Sequence, residues 1–205
     1  MTYRLYPGRA YVEQRVRLYN RTPHDTRYMY WNNCGFVLRP NTRFIFPEDE
    51  GAMHGQEDTT FSWPLWRRHD MSLFRDIPPQ ALGLYYLNAR EPYFGYYDHD
   101  DEFGLVHYAD LADVPGKKYW TWGTDPAMME RYRRTHHTLN EVYGEVQGGR
   151  IVIQEHLDRV PPETECQWTE RWYPVRGTGA FNAAGPGAAL RAETPAVSDE
   201  RSELI

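Results

Sequence analysis

Two cysteines, Cys34 and Cys166, in 205 residues are too few for a disulfide framework, and they are not spaced as a C-x-x-C pair. No stretch approaches the 18 apolar residues of a membrane span, and Met1-Thr2-Tyr3-Arg4 lacks the apolar core of a secretory leader. A cytoplasmic protein with no membrane partner is therefore expected. No dense Lys/Arg block occurs and the formal net charge is −6, so nucleic acid is not an expected partner. The phosphate-binding loop, the dinucleotide glycine pattern, H-E-x-x-H and G-x-S-x-G are all missing. His136 and His137 are adjacent, so on a helix they diverge by roughly 100° and cannot share a metal ion. Neither a metal nor a cofactor is expected.

Aromatics are abundant, with 16 Tyr, 7 Trp and 8 Phe. The mean hydropathy of −0.78 reflects charge and amphipathic rings, because disordered chains are poor in aromatics. Alternation over 10–19 marks a half-buried strand, and the turn-rich 20–25 predicts a hairpin with a partner strand over 27–37. Further strands are expected at 42–46, 82–87, 93–97 and 104–109, then at 142–147, 150–154 and 166–175. From Glu48 to Pro79 the chain reads as a long irregular loop, a length that usually means function or a wrap over a sheet. Thr124-Asp125-Pro126 opens a helix over 126–139. The pattern predicts an all-β fold: one antiparallel β-sandwich domain over 1–190, with long loops and one short helix. The chain after Asn182 is rich in Ala, Gly and Pro and then charged, and 191–205 is expected to be a disordered tail.

Pro115-Gly116-Lys117-Lys118-Tyr119-Trp120-Thr121-Trp122-Gly123 is the most distinctive stretch. On a strand Lys118, Trp120 and Trp122 share one face, with Lys117, Tyr119 and Thr121 on the other. That row suits a core wall or a platform for a sugar ring, and periodicity does not choose between them. In Tyr143-Gly144-Glu145-Val146-Gln147, Glu145 and Gln147 share a face, and Gln154 follows on the next predicted strand. A carboxylate beside amides offers directional hydrogen bonds to hydroxyl-rich ligands; a solvated strand face has the same pattern. His107 alternates with Leu105 and Ala109, which fits either a satisfied core histidine or a proton donor. Asp98 and His99 close the strand before it, and Asn32 and Asn33 follow Trp31. His54 and His69 sit in the long loop.

These residues resemble a bacterial family of unknown function often joined to tetratricopeptide repeats. The resemblance rests on Leu5-Tyr6-Pro7-Gly8-Arg9, Arg17-Leu18-Tyr19-Asn20-Arg21-Thr22-Pro23, Trp31-Asn32-Asn33, Gly95-Tyr96-Tyr97-Asp98-His99, Gly104-Leu105-Val106-His107-Tyr108-Ala109-Asp110 and the Pro-Gly-Lys-Lys stretch. It covers roughly residues 3–190. The family is similar to the galactose-mutarotase-like supersandwich class, whose members bind or process carbohydrates by pairing a His acid with a Glu base. The resemblance implies a carbohydrate ligand, Glu145 as base, and Asn33, Asp98, His99, Lys118, Trp120, Trp122, Gln147 and Gln154 around the sugar. Trp31-Asn32-Asn33 stands where a mutarotase offers histidine, so the acid falls to His107 or His99. The same departure leaves open a binding module without catalysis, or a scaffold whose aromatics merely fill the sandwich. The family also has strands before the segment that begins here with Tyr3. Their absence would leave an unpaired sheet edge that favours a homodimer.

Overall fold

The computed structural model describes residues 1–136 and 141–193. Two six-stranded antiparallel sheets face each other. The first runs, in spatial order, Thr2–Leu5, Val12–Tyr19, Glu165–Arg176, Phe103–Ala109, Tyr93–Asp98, Thr42–Ile45. The second runs Trp31–Val37, Tyr143–Gly149, Gly116–Thr121, Leu82–Leu87, Glu50–Met53, Gln56–Ser62. The fold is thus an antiparallel β-sandwich, and Pro126–His136 is its one α-helix among the described residues.

Aromatic rings from the two inner faces interdigitate to make the core. Phe44 stacks on Tyr119 at 4.0 Å, Phe46 on Tyr86 at 3.8 Å and Phe36 on Tyr96 at 3.5 Å. Tyr119 is fully buried, and its hydroxyl donates to the Met71 carbonyl at 3.0 Å. A tyrosine core of this kind explains how so polar a chain encloses so much apolar surface. Lys117 points inward with Tyr119, as its parity requires, and its ammonium donates to Glu48 Oε1 at 2.5 Å with both side chains buried. Burial pulls the Lys117 pKa down against the upward pull of Glu48.

Close approach of strands fixes one glycine. A Cβ at Gly95 would lie 1.9 Å from the Leu105 carbonyl oxygen on the neighbouring strand. Gly95→Ala is expected to cost about 3 kcal/mol, the upper end of the overpacking range. Urea denaturation of the two proteins checks this; equal midpoints would mean that the strands can part without loss.

The structure differs from the sequence reading in several elements. Segments 10–19 and 27–37 do not form a hairpin, because they lie in opposite sheets. The cause is a knot at Asn20: its amide donates to the carbonyls of His24 at 2.7 Å and Val160 at 3.0 Å, while Oδ1 accepts from the Thr22 amide and the Thr26 hydroxyl. Thr26–Tyr28 then pairs with Asp158–Val160, which diverts the chain across the sandwich. The loop expected over 48–79 contains Glu50–Met53 and Gln56–Ser62, the outer two strands of the second sheet. Their pairing shifts register between Ala52 and Met53, and an outer strand with an exposed face carries few apolar residues to read. Residues 150–154 form turns, not a strand. Ala183–Ala184 pairs with Ala189–Leu190, anchored by the Tyr173 hydroxyl to Gly185 O at 2.7 Å and Ala188 O at 2.9 Å. Of the expected tail, 194–205 lies outside the described residues, as do 137–139 of the expected helix.

Candidate functional site

The Gly116–Thr121 strand is central in the second sheet, between Leu82–Leu87 and Tyr143–Gly149. Its inward residues go to the core. Its outward residues, Lys118 and Trp120, look away from the sandwich, and Trp122 continues the row. Register then sets their neighbours: Lys118 is opposite Gln147, Trp120 is opposite Glu145, and Gln147 is opposite Asn33. Period-two alternation on three strands therefore assembles one polar-aromatic face.

That face is the floor of a cleft of about 440 Å³ lined by Met29, Asn33, His54, Lys118, Trp120 and Trp122, with Glu145, Gln147, Gln154 and Glu155. Glu145 Oε2 accepts from Asn33 Nδ2 at 2.7 Å and Gln147 Nε2 at 2.8 Å. Trp120 meets Trp122 edge-on at 5.6 Å. Behind Trp122, Tyr132 of the helix packs at 5.5 Å and stacks on Tyr143 at 5.1 Å. The helix begins where expected, with Asp125 Oδ1 accepting from the amides of Ala127 and Met128. Burial and the Glu145 charge both push the Tyr143 phenol pKa upward, so its proton stays on.

The opposite wall is a second network. Lys118 is buried, and Nζ donates to Gln154 Oε1 at 2.6 Å and lies 3.2 Å from His54 Nδ1. The Tyr85 hydroxyl lies 2.6 Å from His54 Nδ1 and donates to Glu155 Oε2 at 3.0 Å. The Lys118 ammonium also sits over the rings of Tyr85 and Trp120, at 4.8 and 5.5 Å. The imidazole of His54 meets Trp120 edge-on at 5.4 Å. Trp120 thus lies between a carboxylate paired across the sheet and an imidazole on the neighbouring turn. Such a floor can hold a ring and present an acceptor at one side and a titratable nitrogen at the other.

Seven of the ten residues singled out in the sequence line this cleft: Asn33, Lys118, Trp120, Trp122, Glu145, Gln147 and Gln154. Three do not. His107 is buried between the sheets with Nε2 2.8 Å from Glu170 Oε2, so it cannot face Glu145 across the cleft. Asp98 serves the hairpin after its strand, accepting from the amides of Asp100 at 2.8 Å and Asp101 at 3.0 Å and from the Thr42 hydroxyl at 2.9 Å. Burial would raise its pKa, but those donors and Arg39 hold it below the usual carboxylate range. His99 follows on that turn beside Tyr97, and burial together with Arg43 and Arg191 depresses its pKa. Both lie at the end of the Tyr93–Asp98 strand of the first sheet, and neither lines the cleft. Its aromatic and turn-forming neighbours made this segment look like a site.

Sequence reasoning passed over Tyr85 and Glu155, and named His54 only as a loop histidine that could close over a site. His54 lies at the turn joining Glu50–Met53 to Gln56–Ser62, and Tyr85 alternates with the core residues Leu84 and Tyr86. Recognising the hairpin at His54-Gly55 would have placed both on the cleft side.

Among the described residues no helix is long and apolar enough to cross a membrane, and no His/Cys/Asp/Glu group could hold a metal ion. A family model described as a domain of unknown function, DUF5107, matches residues 1–175. Of the solved structures, a TPR-domain containing protein from Parabacteroides distasonis is similar at 25% identity and TM-score 0.75, over 94% of this chain and 32% of that one. A galactose mutarotase-like protein from Clostridium acetobutylicum is similar at 10% identity and TM-score 0.53, over 80% of this chain and 52% of that one. The chain therefore spans about a third of the first protein and about half of the second. The second likeness concerns the fold alone.

Proposed function

The chain belongs to the family of the domain of unknown function DUF5107, and from that membership and the cleft we propose that it acts on a carbohydrate by general acid–base chemistry. The observation that carries this reading is Glu145, held by two side-chain amides beside the Trp120 indole on the floor of an open cleft. An indole face takes the C–H face of a pyranose, and amides and carboxylates take its hydroxyls. Glu145 is the base: both donors require an acceptor, which suits a carboxylate that receives a proton. His54 is the acid, since a ring resting on Trp120 lies between it and Glu145. In an anomerisation Glu145 takes the proton of the anomeric hydroxyl while the acid protonates the ring oxygen. The ring C–O bond breaks to the open aldehyde, and the reverse steps close either anomer. Proton-exchange NMR of D-galactose and D-glucose anomers, with and without the protein, tests the reading. Accelerated interconversion supports it.

A second reading is a binding module without turnover. It is favoured by the identity of the side chain that meets Glu145, an amide from Asn33 and not an imidazole. Binding detected by tryptophan fluorescence with no anomerisation of any aldose would select it. Under either reading Trp120→Ala weakens sugar binding by about tenfold, roughly 1.4 kcal/mol, with the domain still folded. Unchanged affinity in that variant would remove the indole from the site and the carbohydrate reading with it.

A further inference from the structure

A buried polar column runs through the sandwich directly beneath the cleft. Glu170 of the first sheet is fully buried and accepts at both oxygens: Tyr30 at 2.7 Å and Trp168 Nε1 at 2.8 Å on Oε1, His107 Nε2 at 2.8 Å and the Asn32 amide on Oε2. Asn32 belongs to the other sheet, and its Oδ1 accepts from the Gly148 amide at 3.2 Å. The next residue, Asn33, points to the opposite side and donates to Glu145. The dipeptide Asn32-Asn33 therefore ties a carboxylate in the core to the carboxylate in the cleft.

The strand that carries this dipeptide, Trp31–Val37, lies at the edge of its sheet and, among the described residues, pairs only with Tyr143–Gly149. Aromatic rings fill the glycine gaps between the two strands, Trp31 over Gly149 and Tyr143 over Gly35, and beside them Asn32 supplies a hydrogen-bonded tie to the first sheet. A slip of one residue would turn Asn33 into the core and Asn32 into the cleft. A Cβ at Gly148 would come within 3.2 Å of both Asn32 Oδ1 and the His107 ring, so the glycine also makes room for the column.

We infer that Glu170, held by His107 and acting through Asn32, is the positioning device of the cleft: it fixes the register that aims Asn33 at Glu145. The inference takes its importance from the reading of Glu145 as base, but its physical content does not depend on a substrate. His107 acquires a role three hydrogen bonds removed from Glu145. Asn32 and Glu170 are positioning residues and touch no ligand.

The test is ¹⁵N NMR of the whole chain, following the Asn33 side-chain amide, assigned by its disappearance in Asn33→Ala. Cys34→Ala is the control: the same strand, an inward side chain packed on the apolar core, and no part in the column. In Asn32→Ala the Asn33 amide is expected to move to the position of a solvated amide. Backbone amides of 33–36 should exchange about tenfold faster than in Cys34→Ala. If Asn32→Ala does not fold, Gly148→Ala decides, because its methyl crowds Asn32 and His107 without removing either. An unchanged Asn33 signal in the folded variant overturns the inference. Failure of every sugar assay with the Asn33 signal displaced as expected would overturn only the reading of the cleft.

Discussion

Glu170→Ala is expected to remove about 3–5 kcal/mol of stability, the cost of leaving several buried donors without their shared acceptor. Glu170 is 0% exposed and His107 1%, so water cannot replace the lost carboxylate. Four donors, from Tyr30, Asn32, His107 and Trp168, would be left without their acceptor, each of them costly when buried. A domain of this size has about 5–15 kcal/mol in hand, so the variant should remain folded only marginally at 25 °C. Glu170→Gln keeps the volume but turns an N–H₂ group toward donors, and it too should be destabilised. Guanidinium denaturation of both variants measures the cost, and a loss under about 1 kcal/mol in Glu170→Ala would mean that the four donors find other partners once the carboxylate is gone. The pH dependence has a definite sign. Burial alone would raise the Glu170 pKa, but His107, Tyr30 and Trp168 hold it below its ordinary value of 4.5. A depressed folded-state value contributes stability above the unfolded value and loses it as pH falls through the folded one. Wild-type stability should therefore decline as pH drops below about 4.5, and Glu170→Gln should show a shallower decline.

Glu145→Gln is expected to lower anomerisation turnover by about 10²–10⁴, the range for losing a positioned general base. Sugar affinity should stay within about threefold, because the glutamine oxygen still accepts one amide and the indole floor is untouched. Loss of turnover with binding retained separates a base from a hydrogen-bonding residue. Equal loss of both would place Glu145 in uniform binding, the behaviour of a module without catalysis.

Much of the cleft was legible because a strand has only two faces. Once Gly116–Thr121 is a strand, Lys118 and Trp120 must share a side, and Glu145 and Gln147 follow by the same rule one strand over. The resemblance supplied the class of fold, and the two sheets bear it out. The failures have physical causes. Alternation cannot say which of two sheets a strand joins, so the pairing of 10–19 with 27–37 was misplaced. An edge hairpin with small and polar residues has no apolar run, so Glu50–Ser62 read as loop and His54 was named only as a loop histidine able to close over a site.

The amino-acid sequence by itself determined the strands of the core, the helix start at Asp125-Pro126 and the one-sided rows of aromatics and amides. These follow from local steric and capping rules that need no partner. Only the tertiary structure decided which histidine meets water. His107 and His54 are the same side chain, but one faces Glu170 between two sheets and the other faces a cleft. Burial is a property of what lies across from a residue, contributed here by Glu170 more than sixty positions away in the chain. That distance is why periodicity found the floor of the site and the packing of two sheets chose its walls.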